Sequence, residues 1–174
     1  QVADGDNDTK IQVEELVDED QIRFDIAGTE NYVMDGRRLH VTNTGNSVYI
    51  GLNAGNADNS GSKQNVAIGD RALESSSTGN SIVAIGRHSQ RNATGGYANV
   101  SIGESSLYSN GTGTGNTNIG NRAGILNTNS NNNTLLGSDV DFYNNSGSNN
   151  TLLGFEAGRG TANHTKSGNV FLGY

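Results

Sequence analysis

Val66-Ala67-Ile68-Gly69, followed seventeen residues later by Val83-Ala84-Ile85-Gly86, decides how this chain is read. The same grammar returns at Val48-Tyr49-Ile50-Gly51, Val100-Ser101-Ile102-Gly103, Thr117-Asn118-Ile119-Gly120, Thr134-Leu135-Leu136-Gly137, Thr151-Leu152-Leu153-Gly154 and Val170-Phe171-Leu172-Gly173. The eight glycines are spaced 18, 17, 17, 17, 17, 17 and 19 residues apart. A period held this closely is the signature of a stacked repeat, in which each short unit buries its surface only against its neighbours. Stacked rods are usually scaffolds or binding surfaces rather than enzymes.

Each column of the repeat implies a job. Residues two apart on a strand share a face, so the Val/Thr and Ile/Leu of each motif point the same way. Because that pair is apolar or β-branched in every copy, it reads as the wall of an interior. The residue between them (Tyr49, Ala67, Ala84, Ser101, Asn118, Leu135, Leu152, Phe171) varies, and so reads as facing water or a second contact surface. Glycine ends each strand where a side chain would block a tight corner or the next coil. Three residues on, Ala54, Ala72, Ser89, Ser106, Ala123 and Ala157 suit a narrow opposite wall, with Val140 the exception. Asn65, Asn99, Asn116, Asn133, Asn150 and Asn169 precede their strands, and stacked asparagines form hydrogen-bonded ladders. One copy therefore reads as strand, glycine corner, short second strand and polar loop. Eight such coils at about 4.8 Å each predict a parallel β-solenoid roughly 35–40 Å long.

Composition agrees. Only 32% of residues are hydrophobic, with 25 glycines and no Trp, Pro or Cys, too few apolar groups for a conventional single core. Disorder would explain the composition but not the periodic placement of Ile or Leu before Gly. Lack of cysteine excludes disulfides and thiolate chemistry. No apolar run is long enough to cross a membrane and no signal peptide is seen. Starting at Gln1, the chain reads as a piece of something longer.

Charge splits the chain in two. Residues 1–45 hold 11 acids against 4 Lys/Arg, whereas residues 46–174 hold 7 of each. The repeat region thus lacks the basic stripe of a nucleic-acid binder and the basic amphipathic helix of a membrane binder. Residues 1–45 contain Thr9-Lys10-Ile11-Gln12-Val13-Glu14, Gln21-Ile22-Arg23-Phe24-Asp25-Ile26, Asn31-Tyr32-Val33-Met34 and Arg38-Leu39-His40-Val41, which alternate as strands do. Too small for a core of its own, this segment is expected to be a β cap or adaptor sealing the first coil of the repeat domain, 46–174.

A rod this thin exposes much of its lining as a monomer. The variable middle column (Ala67, Ala84, Ser101, Asn118, Leu135, Leu152 and Phe171) is the candidate self-association interface, since it turns apolar toward the C-terminus. Val-Ala-Ile-Gly followed by a small residue three positions on resembles the head repeat of trimeric autotransporter adhesins. That resemblance covers residues 46–174 and implies a left-handed parallel β-roll with three chains around one axis. Two departures matter. The coils here are about three residues longer, and the later Thr-Leu-Leu-Gly copies resemble repeats of trimeric fibre and tail-fibre-like proteins with self-cleaving chaperone tails. Gly28-Thr29-Glu30 to Met34-Asp35-Gly36 likewise resembles segments preceding the shaft of such fibres. The resemblance implies a homotrimer on the bacterial surface or in a secreted, extracellular fibre, with a glycan, cell-surface or matrix ligand.

Candidate sites are few. His40, His88 and His164 lie in unrelated repeat phases, so no metal cluster or triad is suggested and no enzyme is expected. Asp139 and Asp141, with Phe142 and Tyr143, combine carboxylates and aromatic faces as sugar-binding loops do. The bland alternative is a loop folded over the coil with Phe142 covering apolar surface. Asp4, Asp6, Asp8 and Glu15 occupy positions 1, 3, 5 and 12 of an EF-hand-like loop and could hold Ca2+, although Thr9 stands where the loop needs glycine. The plainer reading of these acids is a solvated acidic terminus. No other cofactor is expected. The functional expectation is an adhesive rod whose weak contacts sum by avidity. A passive spacer and a glycan-binding or glycan-cleaving fibre are the alternatives.

Overall fold

In the computed structural model the chain is all-β and divides into two units, residues 1–47 and 48–174. The structure describes residues 2–3, 5, 10–13, 21–26, 29–35, 38–41, 46–58, 61, 63–161 and 164–174. The first unit is an antiparallel meander of β1 (Val2–Ala3), β2 (Lys10–Val13), β3 (Gln21–Ile26), β4 (Thr29–Asp35) and β5 (Arg38–Val41), paired in sequence order. A register shift between Phe24 and Asp25 marks a bulge in the β3–β4 pairing. Ile11 and Ile22 on the meander are exposed.

The second unit is a parallel β-solenoid. Its rungs are β6 (Val48–Ile50), β7 (Val66–Ile68), β8 (Val83–Ile85), β9 (Val100–Ile102), β10 (Thr117–Ile119), β11 (Thr134–Leu136), β12 (Thr151–Leu153) and β13 (Val170–Leu172). Neighbouring rungs pair in parallel, each residue opposite its own repeat equivalent, as Ala67 opposite Ala84. Eight rungs delimit seven complete coils, with coil 1 spanning residues 48–65 and coils 2 to 7 beginning at Val66, Val83, Val100, Thr117, Thr134 and Thr151.

Stacking in register explains the invariant glycine. At Gly69 φ is +130°, and a Cβ there would lie 2.7 Å from the carbonyl carbon of Gly86 in the next coil. No side chain fits that corner. The asparagine before each strand also repeats its bonds. Asn116 N donates to Asn99 Oδ1 (2.9 Å), Asn133 N to Asn116 Oδ1 (3.0 Å) and Asn150 N to Asn133 Oδ1 (2.9 Å). Each amide nitrogen donates to a loop carbonyl of the following coil, as Asn116 Nδ2 to Ser130 O (2.7 Å). The ladder is buried and occupies donors and acceptors that would otherwise be orphaned.

Two expectations are corrected. The second wall is not a strand but a chain of hydrogen-bonded turns. Its N–H groups alternate between previous and following coils: Arg122 N donates back to Glu104 O (2.9 Å) and Gly124 N forward to Val140 O (2.9 Å). Two left-handed residues per coil, such as Arg71 and Leu73 (φ 54° and 56°), turn the chain where a pleated strand would run straight.

The faces of the rungs are also reversed. The middle column is inside: Ala67, Ala84, Ser101, Asn118 and Leu135 are fully buried and Leu152 nearly so. The flanking Val/Thr and Ile/Leu column points out of the coil. Ala67, Ala84, Ser101, Asn118, Leu135 and Leu152 are therefore interior residues and unavailable as an interface; only Phe171, on the last rung, is exposed.

Variation in the middle column is compensated in six of the seven coils, Leu135 with Asp141 in coil 6 being the exception. The residue six positions on is small where the middle residue is large: Tyr49 with Gly55, Ala67 with Leu73, Ser101 with Leu107, Asn118 with Gly124, Leu152 with Gly158. A Cβ on Gly55 would strike the Tyr49 ring, and one on Gly158 would overlap Leu152 Cδ2. Two apolar clusters result, one around Ala67, Leu73, Ile82 and Ala84 and one around Ala123, Leu135, Val140 and Leu152. Ser89, Gln90, Ser101 and Ser106 lie between them and bond to one another or to backbone.

A prediction follows for Gly158→Ala. Overpacking against Leu152 and a φ of +67° should together destabilise the solenoid by about 2–4 kcal/mol. In a Leu152→Ala background the same change should cost only the left-handed penalty, about 1 kcal/mol. Denaturant unfolding of the four proteins of the cycle measures the difference, and additivity would refute the shared-volume account.

Candidate functional site

The outward column forms one continuous face on eight parallel rungs, three residues wide. Its aliphatic side chains include Ile50, Ile68, Leu136, Leu153, Val170 and Leu172, with exposures from 36% for Ile68 to 73% for Leu172. Leu52 and Phe155, beside the glycine corners at either end, are exposed as well. Parallel sheets are found almost only with both faces covered, because each backbone layer is stabilised by packing on either side. Here one face is covered by the chain's own second wall and the other meets solvent. Exposed apolar surface of this extent makes the outward face the candidate interaction surface.

The segment containing Asp139, Asp141, Phe142 and Tyr143 is packed and charge-compensated. Left-handed φ angles at Asp139 (54°) and Asp141 (52°) set it on the second wall, in phase with Arg122 and Gly124 one coil earlier. Asp139 is buried and faces one edge of the Arg122 guanidinium, which donates from Nη2 to Oδ2 (2.8 Å) and brings Nε within 2.8 Å of Oδ1 as an ion pair. Asp141 points into the coil, 2% exposed, and accepts a hydrogen bond from Asn144 Nδ2 (2.7 Å). Phe142 lies between the guanidinium groups of Arg122 and Arg159, each 5.5 Å from its ring centre, and Tyr143 meets its edge. Neither carboxylate is presented to a sugar. Of the proposed ligand residues, only the half-buried rings of Phe142 and Tyr143 remain partly accessible.

Burial raises the carboxyl pKa of Asp141; the hydrogen bond from Asn144 and the nearby His164, Asn127 and Lys166 oppose that rise. A raised folded pKa means the folded protein binds more protons than the unfolded chain in the interval above the ordinary carboxyl value.

The proposed calcium ligands Asp4, Asp6, Asp8 and Glu15 lie outside the described residues. Among the described residues no group of three or more His, Cys, Asp or Glu could hold a metal ion, and no helix is long and apolar enough to cross a membrane. His88 packs edge-on against Tyr108, and His164 sits four coils away.

Sequence reading missed a buried ion pair in coil 1. Lys63 Nζ lies 2.7 Å from Asp58 Oδ1 and donates to Ser77 O of the next coil, while Tyr49 Oη donates to the other oxygen of Asp58. Asp58 shares the phase of the buried Ser76, Ala93 and Asn110, which was the available signal. On the second wall, Arg71, Arg87, Arg91, Arg122 and Arg159 each pair with an acid. That wall is thus nearly neutral.

No family model, no curated protein and no solved structure matches this chain.

Asp141→Asn should raise the unfolding midpoint near neutral pH, since it removes a desolvated charge while keeping a polar side chain. The gain should shrink as the pH falls toward 4, where the native carboxyl is protonated. Thermal unfolding across that range checks it; a gain that grows in acid would refute the assigned cause.

Proposed function

We propose that the chain is a structural and adhesive domain of a bacterial surface or fibre protein, working as a homotrimeric rod. The observation that carries this reading is the bare apolar face of a parallel sheet. A Val/Thr column and an Ile/Leu column per chain form a strip too narrow for a monomer to shield and too long to leave wet. Three such strips facing one axis close a dry inner core with no free edge, a heterologous contact that closes by rotation. Trimer formation then projects three copies of the Asn, Ser, Thr and Gly loops, so weak contacts to a glycan, cell-surface or matrix ligand would sum by avidity. Handedness of the roll and the extracellular setting rest on the repeat's resemblance to adhesin heads and fibre shafts.

A passive shaft raising a distal tip is the second reading. The internally compensated charges around Phe142 favour it, because that side of the coil offers few unpaired groups to a ligand. Glycan cleavage would need paired carboxylates that Asp139 and Asp141 do not offer.

Light scattering behind a sizing column should give three times 18.2 kDa. Ile68→Asp combined with Leu136→Asp should reduce the mass to that of a monomer, by placing charge on the buried face. A monomeric native chain would refute the trimer. With the trimer established, binding to glycan or matrix-protein arrays supports the adhesive role, and failure to bind any of them supports the shaft.

A further inference from the structure

We propose that Lys63 and Asp58 condense to an amide, an intramolecular isopeptide bond that pins the end of coil 1. Lys63 is buried, 7% exposed, and lysine is seldom buried unless its charge is paired. Its Nζ stands 2.7 Å from Asp58 Oδ1, and the two side chains are only 9% and 10% exposed. The contact is not an aligned hydrogen bond, because Oδ1 accepts none. Nζ donates instead to Ser77 O of coil 2, while Tyr49 Oη, from rung β6, donates to Oδ2. The nitrogen is therefore packed against the carboxyl group with its hydrogen bond directed elsewhere. Every other ion pair among the described residues uses arginine, whose delocalised guanidinium is no nucleophile.

The condensation balances within these two side chains. Nζ passes one proton to Oδ1, leaving a neutral amine and a neutral carboxyl group. Neither charge keeps its full hydration in this site, which brings the neutral pair within reach. The amine lone pair attacks Cγ, and the electrons of the Cγ–Oδ2 double bond move onto Oδ2. There the Tyr49 hydroxyl stabilises the developing charge, as an oxyanion donor does. A second Nζ proton goes to Oδ1, the Cγ–Oδ1 bond breaks, and Oδ1 leaves as water. Oδ2 becomes the amide oxygen, still bonded to Tyr49. One hydrogen remains on Nζ, and Ser77 O is already placed to accept it.

No oxidant, cofactor or activated donor is required. Two groups fixed at contact distance react at an effective concentration that the same side chains never reach when free in water. The bond closes the loop between residues 58 and 63 and ties it to β6 through Tyr49 and to coil 2 through Ser77. Coil 1 has a solenoid neighbour on one side only, so a covalent tie there opposes fraying of the stack.

Intact-mass spectrometry of the whole chain, denatured after incubation of the folded protein near neutral pH, tests this. The chain should weigh one water less than its sequence. Trypsin should leave residues 39–71 as one peptide carrying that deficit, because an acylated Lys63 is no longer cut. Lys63→Arg, which keeps the charge but cannot condense, should restore the full mass. Tyr49→Phe, lacking the donor to Oδ2, should leave a fraction of chains uncondensed after the same incubation. A native chain of full mass that trypsin cuts at Lys63 would overturn the bond. A missing water with normal cleavage at Lys63 would place the loss elsewhere, as in an aspartyl succinimide, and overturn it equally. Condensation of Tyr49→Phe at the native rate would overturn the oxyanion role of Tyr49.

Discussion

Register-perfect stacking makes each residue of the solenoid the neighbour of its own equivalent one coil away, and most other features follow from that constraint. A position tolerates only what can sit on a copy of itself. Glycine recurs at the corner because the next corner's backbone occupies the space of a Cβ. Asparagine recurs before the strand because it both accepts from the next asparagine's N–H and donates to the next loop. Where Ile82 interrupts that column, it is buried, and its N–H still donates to Asn65 Oδ1 (3.0 Å). The ladder can therefore lose a side chain at one level without losing the backbone bond that reaches that level.

The same constraint acts across the coil in a different way. Opposite walls are so close that the middle residue of a rung and the residue six positions on share one volume. Neither column is uniform, yet six of the seven pairs set a large residue against a small one, Leu135 with Asp141 being the exception. This explains why the middle column runs from Ala67 to Leu152 without disturbing the backbone repeat. Side-chain identity is free within a coil provided that the pair fills the space, whereas backbone-bonding positions are not.

Periodicity made the architecture legible, because glycine spacing and the asparagine column report backbone events that repeat with the coil. Which face of the rung points inward was not legible. A three-residue strand with apolar ends and a variable centre fits either assignment, and apolar character alone favours the wrong one. The evidence against that choice lay in the complementary pairs, Leu152 with Gly158 and Asn118 with Gly124, which only an inward middle column explains. Asp141 was misread for a related reason. Taken as part of a surface loop, it suggested a ligand; counted by phase, it falls with Leu73, Gln90 and Leu107, all buried. Phase within the repeat outranks local composition, since stacking decides which way a side chain points before its chemistry is considered.

The outcome is a rod with its better hydrophobic surface on the outside. Of the twelve buried apolar residues among those described, half are alanine. Alanine contributes little at about 25 cal/mol per Å² of apolar surface buried. The larger aliphatic groups at Ile50, Ile68, Leu136, Leu153 and Leu172 stand on the exposed face. Hydrogen bonds between coils set the geometry, but each adds only about 1 kcal/mol net against the entropy of ordering its residues. A single chain built this way has its architecture specified by the interior, while much of the available hydrophobic stabilisation waits on whatever covers the outer strip. Folding and assembly are therefore coupled in this reading: residues that determine the coil's shape and residues that would hold coils of different chains together occupy opposite faces of the same three-residue strands. A substitution at Ala84 and one at Ile85, adjacent in sequence, then act on different equilibria. The first acts on the packing of one coil, the second on association between chains.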